Sequence, residues 1–264
     1  MTITNKITNK LRRDGLRGTA AAAMHQLAAA LDRSKSDPVN PIPPARSEYL
    51  DWISFAVAGM LIRGNVDAMS FAIQHLPNDS PMLEIGSFCG LSTCVIAYLR
   101  LKHSVPNRLF TCDRWAFEGQ KLEACLGDNK FVTHDQYRTF VRDSYLRNTN
   151  MFCKTDLPYT IEADSDTFFK QWSAAESATD VFGRNVDMGG TLSFCYIDGN
   201  HTYEFAKRDF LNVDRYLSPR GFILFDDSGD GSGWEVCKVV EEVLKSGSYH
   251  LIAKNPNYLV QKRS

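Results

Sequence analysis

The sequence predicts an α/β protein with a doubly wound, mostly parallel sheet. From residue 81 onward, short apolar segments of strand length alternate with amphipathic segments of helix length. An acidic residue follows four of the strand-like segments, and the last two segments have no helix between them. Because parallel strands need helical crossovers, this order predicts helices on both faces of the sheet. It also predicts a ligand site at the carboxyl ends of the strands.

The composition is that of an ordinary globular protein. The 264 residues include 30 basic and 31 acidic side chains, and 44% of them are hydrophobic. These proportions allow a sizeable core and exclude a wholly disordered or fibrous protein. The net charge of −1 argues against nucleic acid or an anionic membrane surface as a partner. The longest apolar run, 53–62, is about half of a membrane span, and no signal peptide is visible.

Cysteine usage predicts a reducing compartment. The chain has seven cysteines, an odd number, and no two of them have the C-x-x-C spacing of zinc or thioredoxin sites. Several lie within apolar runs, where a thiol packs as a small hydrophobic group. We therefore expect free thiols and a cytoplasmic protein.

Residues 1–46 form a separate N-terminal region. Residues 1–33 are rich in Lys and Arg, and apolar side chains recur there at helical spacing, which favours short amphipathic helices. A packing or dimerisation arm, a mobile tail and an organelle-targeting segment are the possible interpretations, and we expect the arm, with a homodimer. Residues 34–46 contain four prolines and predict an extended linker.

The main domain, residues 47–264, begins with two predicted helices. Ser47 is a suitable N-cap for a helix over 48–63, and Asn65 is suitable for a second helix that ends before Pro77. We expect the apolar side chains of this layer to pack on the main domain; they are Trp52, Phe55, Met60, Phe71 and Ile73.

Seven strands are predicted after these helices. The first five cover 82–85, 109–112, 159–163, 192–197 and 221–225, and the closing pair covers 249–253 and 258–261. Helices are predicted at about 91–101, around Phe168 to Trp172, at 203–217 and at 234–244. The closing strands form an antiparallel hairpin around Asn255-Pro256-Asn257.

The loop after the first predicted strand narrows the class of ligand. It reads Glu84-x-Gly86-x-x-x-Gly90, which lacks the middle glycine of a dinucleotide-binding fingerprint and the lysine of a phosphate-binding P-loop. Asp113 ends the second strand, 29 residues after Glu84, where a carboxylate can accept hydrogen bonds from both hydroxyls of a ribose.

With this loop and this acid, the chain resembles the class I S-adenosylmethionine-dependent methyltransferases, whose sheet is Rossmann-like. The resemblance implies S-adenosylmethionine as cofactor, with its amino-acid part at the glycine loop, its ribose at Asp113 and its adenine near Asp164. The cofactor-binding residues that it implies are Glu84, Gly86, Ser87, Gly90, Ser92, Thr93, Asp113, Arg114, Trp115, Asp164 and Ser165.

Two further stretches, FCYIDGNHTYEFAKRDF at 194–210 and GFILFDDS at 221–228, resemble the metal-dependent O-methyltransferases that act on sugars and macrolide sugars. The resemblance implies that Asp198, Asp226 and Asp227 hold a divalent cation such as Mg²⁺. Three converging carboxylates repel one another unless a cation is present, and hard oxygen ligands suit Mg²⁺. Helix caps and turn residues are the alternative interpretation of these acids.

The position of the catalytic base departs from the family that the chain resembles, because the related sugar enzymes carry an acid two residues after the fourth-strand aspartate. Asn200 occupies that position and cannot accept a proton. We therefore assign the base to the neighbouring His201, with Asp198 also catalytic through the cation. A helix-capping or cofactor-contacting role is the alternative for His201.

The expected function is methylation of a hydroxyl on a small molecule, a sugar or a specialised metabolite. The long segment 115–158 is either an acceptor-binding lid or additional helices. Two other functions stay open: methylation of an amine, carboxylate or protein side chain without metal, and a non-catalytic cofactor-binding regulatory module.

Overall fold

The computed structural model describes residues 42–264. The predicted N-terminal helices and most of the predicted linker lie outside these residues. Within them, no helix has both the length and the apolar character needed to cross a bilayer. All seven cysteines fall in the described part and are free thiols, five of them buried.

Seven helices and nine strands occur among the described residues. The helices are α1 (Glu48–Ala56), α2 (Arg63–Gln74), α3 (Leu91–His103), α4 (His134–Phe152), α5 (Ser165–Ala174), α6 (Tyr203–Asp214) and α7 (Val236–Lys245). The strands are β1 (Met82–Ile85), β2 (Leu109–Cys112), β3 (Tyr159–Ile161), β4 (Ser177–Thr179), β5 (Asn185–Asp187), β6 (Leu192–Ile197), β7 (Leu217–Phe225), β8 (Tyr249–Lys254) and β9 (Tyr258–Lys262).

Seven of these strands form one sheet in the order β3-β2-β1-β6-β7-β9-β8. The first five are parallel, and β9 joins β7 and β8 by antiparallel pairing. The predicted fold class is therefore confirmed: a Rossmann-like sheet with an antiparallel C-terminal hairpin and additional helices. The remaining strands, β4 and β5, make a separate two-stranded hairpin.

The sheet is covered on both faces because its central strands are apolar throughout. Alternate residues of one strand enter opposite cores: Met82 packs with α1, α2 and α3, whereas Leu83 and Ile85 pack with α5, α6 and α7. All four residues of β1 and all six of β6 are buried. Fully buried strands of this kind are typical of parallel sheets.

The strand register determines where the polar residues lie. Ile85 is paired with Cys112 of β2 and with Ile197 of β6, and Ile197 is paired with Phe225 of β7. The next residue in each strand therefore reaches the same edge of the sheet. Those residues are Gly86, Asp113, Asp198 and Asp226.

The N-terminal layer differs from its prediction in three ways. Helix α1 ends at Ala56 rather than at residue 63, because the chain passes close over the start of α3. A Cβ at Gly59 would lie 2.7 Å from Cβ of Leu91, so this crossing needs a glycine. Asn65 is no N-cap, since α2 begins two residues earlier and its side chain points into the core. Of the five apolar side chains expected to pack on the main domain, Ile73 is buried and Phe71 packs partly buried against the core. The expectation was wrong for Trp52, Phe55 and Met60, which are exposed.

The two segments that the sequence left unassigned also contain regular structure. The segment 115–158 holds the 19-residue helix α4, which begins with a capping box formed by Thr133 and Gln136. The hairpin of β4 and β5 lies between α5 and β6. Its strands are three residues long and mostly exposed, so they lack the apolar alternation from which strands are predicted.

Candidate active site

The glycine loop after β1 brings two strand ends into contact. Gly86 has φ +82°, and a Cβ at this position would lie 2.1 Å from the backbone carbonyl oxygen of Asp198. Gly90, with φ +90°, faces the ring of Tyr145 in α4. Both glycines thus permit close packing at the sheet edge. The sequence had predicted only a cofactor-binding role for them.

Asp113 organises this loop through backbone hydrogen bonds. Its Oδ2 accepts hydrogen bonds from the backbone N–H groups of Ser87 (2.8 Å) and Phe88 (2.9 Å). Its Oδ1 accepts one from the N–H of Trp115 (2.6 Å). Burial raises the pKa of Asp113, and the three N–H donors oppose that rise. The carboxylate is therefore held in one orientation at the sheet edge.

The side chain of Trp115 closes the loop on one side. Its indole N–H donates to the carbonyl oxygen of Phe88 at 2.9 Å, and its ring centroid lies 5.3 Å from that of Tyr145. Arg142 lies over the outer face of the indole, 5.8 Å from the ring centroid. Trp115 is 6% exposed, so loop and α4 form one packed unit.

Glu84 lies directly beneath the glycine loop and is completely buried. Its Oε2 accepts a hydrogen bond from the hydroxyl of Thr93, and its Oε1 has no hydrogen-bond partner within the described residues. Burial raises the pKa of Glu84 to about 8, although hydrogen bonds from Ser92 and Thr93 oppose the rise. Ser92 and Thr93 thus contact this carboxylate rather than facing outward.

Three other predicted cofactor residues lie further along the edge. Asp164 is the N-cap of α5 and accepts a hydrogen bond from the N–H of Thr167 at 2.8 Å. The hydroxyl of Ser165 donates to Asp209, a buried carboxylate whose pKa burial raises to about 6. Arg114 pairs with Glu118 at the surface.

The acids that end β6 and β7 converge on His201. Its Nε2 lies 3.2 Å from Oδ1 of Asp198, and its Nδ1 lies 2.9 Å from Oδ2 of Asp227. Burial disfavours the imidazolium, but the two carboxylates outweigh this effect and raise the pKa of His201 to about 10. In this arrangement the protonated imidazole balances the negative charge of the cluster.

The cluster fits a divalent cation. One ligand atom each from Asp198, His201 and Asp226 lies within 4.8 Å of the others. Burial raises the pKa of Asp226 well above its ordinary value, and repulsion by the charges of Asp198 and Asp227 raises it further. Adding a cation would relieve this repulsion, and carboxylate oxygens are the ligands of Mg²⁺ and Mn²⁺.

Three residues of this region were not predicted from the sequence. The buried amides of Asn65 and Asn257 both donate to Oδ1 of Asp226. The ring centroid of Trp234 lies 5.3 Å from that of His201. No local sequence signal assigns these residues to the site, because each reaches it by long-range packing of its element.

Comparison with known proteins agrees with this geometry. The sequence profile of a family described as "Methyltransferase domain" matches residues 83–228, more than half of the chain. A search of curated protein sequences found no match.

Several solved structures share the fold. The calicheamicin methyltransferase CalS11 has a TM-score of 0.52 at 15% identity, covering 94% of this chain and 95% of that one. The O-methyltransferase NovP has a TM-score of 0.53 at 14% identity, covering 78% and 82%. The Podospora anserina methyltransferase PaMTH1, bound to S-adenosylhomocysteine, has a TM-score of 0.52 at 14% identity, covering 94% and 97%. With the family match and the acid-ended parallel strands together, the chain belongs to the methyltransferase domain family and is an S-adenosylmethionine-dependent methyltransferase.

Proposed function

We propose that this protein transfers a methyl group to a hydroxyl of a small molecule, a sugar or a specialised metabolite, with help from a divalent cation. The observation that carries the proposal is the group formed by Asp198, His201 and Asp226 at the ends of β6 and β7. The carboxylate of Asp227 lies against Nδ1 of His201, at the border of this group. The similar folds named as a calicheamicin methyltransferase and an O-methyltransferase support the small-molecule acceptor.

The cofactor-binding residues are proposed to be those of the β1 and β2 ends. Asp113 is oriented by three backbone amides, which occupy three of the roughly four acceptor positions of a carboxylate and leave one on Oδ1 for a ribose hydroxyl. The backbone of the loop from Gly86 to Gly90, with Ser87, would receive the amino-acid part. Trp115, Arg114, Asp164 and Ser165 lie on the adenine side in this proposal. Glu84, Ser92 and Thr93 support the loop from beneath.

The acceptor side is proposed to use the β6 and β7 ends. Asp198, Asp226 and Asp227 would hold Mg²⁺ or another divalent ion, which when bound orients the acceptor and lowers the pKa of its hydroxyl. His201 is the proposed base, because Asn200 has no proton-accepting group. The two carboxylates hold His201 in its protonated form when no cation is bound. A cation on these carboxylates would replace that positive charge, so that the neutral imidazole could accept the proton of the hydroxyl.

We also infer a cytoplasmic protein and a homodimer. Free thiols, five of them buried, suit a reducing compartment. The dimer is proposed from the N-terminal arm, residues 1–41 of which lie outside the described part of the chain.

The cation proposal is tested by methyl transfer from radiolabelled S-adenosylmethionine to a panel of sugars and phenols. Activity with Mg²⁺ should disappear on adding a chelator and return with excess Mg²⁺, and Asp226→Asn should be inactive in every buffer. Full activity in chelator would contradict the cation assignment and favour a metal-free transfer to an amine, carboxylate or protein side chain.

The role of His201 is tested separately with the same assay. His201→Ala should lower turnover by roughly 10²-fold while leaving the affinity for S-adenosylhomocysteine unchanged, because a base acts only on the acceptor. Asn200→Ala, which removes the acceptor of the Thr202 N–H at the start of α6, is the control for disturbing this turn. A loss of less than tenfold, or an equal loss in both variants, would make His201 a positioning residue.

A further inference from the structure

A buried network of neutral side chains surrounds Asp226. The amide groups of Asn65 and Asn257 both donate to its Oδ1, the second at 3.0 Å. The same Asn257 amide donates to the side-chain oxygen of Asn65 at 3.1 Å, and Asn65 also donates to the hydroxyl of Tyr196 at 3.2 Å. All four side chains are 4% exposed or less.

The members of this network come from four different elements. Asn65 lies in the first turn of α2, Tyr196 in β6, Asp226 just after β7, and Asn257 in the turn between β8 and β9. Asn65 and Asp226 are separated by 161 residues. The Oδ1 of Asn257 in turn accepts a hydrogen bond from the backbone N–H of Gly229 at 3.0 Å, so the amide orientation of Asn257 is itself constrained.

The chemistry of the donors points to a function beyond packing. A buried carboxylate is commonly neutralised by Arg or Lys, because burying an unpaired charge is costly. Here the two side chains that donate to Oδ1 of Asp226 are neutral amides, which orient the carboxylate without placing a positive charge beside it. The amides thus leave it to a cation to stabilise the ionised form of this carboxylate.

We propose that Asn65 and Asn257 are positioning residues for the cation ligand Asp226. They fix the orientation of its carboxylate, so that helix α2 of the N-terminal layer and the C-terminal hairpin are both part of the cation site. This inference rests on the proposed function, since it assigns Asp226 to the cation.

The test is a calorimetric titration of the full-length protein with Mn²⁺, followed by one with S-adenosylhomocysteine. Asn65→Ala should weaken Mn²⁺ binding by about 10- to 100-fold, the usual effect of losing a residue that orients a ligand. Its affinity for S-adenosylhomocysteine should stay within about threefold, because Asp113 and the glycine loop are unchanged. Asn257→Ala, on a different element, should reproduce this result and replaces Asn65→Ala if that variant does not fold.

Asn107→Ala is the matched control. Asn107 is as buried as Asn65, and its amide donates to the carbonyl oxygens of Asn78 and Ser80 and to the hydroxyl of Ser193. It lies just before the start of β2, whereas the acid cluster lies at the opposite ends of the strands. Its loss should lower the unfolding temperature as much as the loss of Asn65 does, while Mn²⁺ affinity stays at the wild-type value.

Two outcomes overturn the inference, and they are distinguishable. If the wild type binds Mn²⁺ and both Asn65→Ala and Asn257→Ala bind it equally well, the amides only stabilise the fold and the cation site stands. If the wild type binds no Mn²⁺, the cation part of the proposed function fails and this inference fails with it.

Discussion

Asp113 has a structural role in addition to its proposed role in binding the cofactor. Three backbone N–H groups from two segments of chain meet on it, so the loop that follows β1 is tied to the end of β2. From the sequence, this aspartate could be assigned to the ribose by its position alone. Its second task, holding the loop, depends on backbone geometry that no residue pattern encodes.

The first prediction concerns the loss of this carboxylate. Asp113→Ala should reduce the affinity for S-adenosylhomocysteine by roughly 100-fold or more, since hydrogen bonds to a charged group are each worth about 1.5–3 kcal/mol. Asp226→Asn, at the end of β7 and separated from Asp113 by the ends of β1 and β6, should keep that affinity within a few-fold. Calorimetric titration of both variants checks the prediction, and equal losses would show that the two acids form one site.

The raised pKa of Glu84 predicts that the free energy of unfolding depends on pH. Its pKa is about 8 in the folded protein against 4.5 as the ordinary value. Between these two values the unfolded chain releases a proton that the folded chain retains, so this group makes folding less favourable as the pH rises. Below about pH 4.5 both states are protonated and the effect is absent.

The neutral variant Glu84→Gln should therefore gain stability over the wild type as the pH rises from 5 to 8, by at most about 1.4 kcal/mol per pH unit. Urea unfolding of the cofactor-free protein at both pH values measures the difference. A difference between variant and wild type that stays constant with pH would show that Glu84 is ionised inside the folded protein.

The close approach of two strand ends accounts for one of the motif glycines. A side chain at Gly86 would collide with the backbone carbonyl of Asp198, the first residue after β6. The glycine therefore allows the glycine loop and the acid cluster to occupy adjacent positions on one edge. The strands of the seven-stranded sheet were predicted more accurately than the helices of the N-terminal layer, because the end of α1 depends on the contact of Gly59 with Leu91, which joins distant parts of the chain.

A comparison of Gly86→Ala with Gly119→Ala distinguishes the energetic cost of the steric clash with Asp198 from the cost of a positive φ. Both glycines have positive φ, +82° and +70°, but a Cβ at Gly119 would meet no atom within 4 Å. Gly119→Ala should cost about 1–2 kcal/mol of unfolding free energy, the cost of a left-handed conformation. Gly86→Ala should cost at least about 3 kcal/mol more, because the strand ends must separate. Similar losses in urea unfolding would contradict the proposed contact.

The strand order of the sheet places the proposed cofactor site and the proposed cation site at the same edge. The strands and the acids that end them could be predicted because each is a local pattern: an apolar run, then a carboxylate. The amides around Asp226 could not be predicted, because Asn65 and Asn257 reach it from opposite ends of the domain. Asn65 even carries a misleading local signal, that of a helix cap. The N-terminal layer was expected only to pack on the main domain. It also contacts the residue after the glycine loop, through Gly59 and Leu91, and the acid cluster, through Asn65.

The central claim is that the cofactor and the cation use separate groups of carboxylates on this edge. Calorimetric titration of the wild-type protein with S-adenosylhomocysteine, once with Mg²⁺ and once with chelator, tests it most directly. Micromolar binding of equal strength in both buffers is the predicted result. Binding that requires Mg²⁺ would place the ion at the cofactor, and no binding in either buffer would contradict the assignment of the glycine loop.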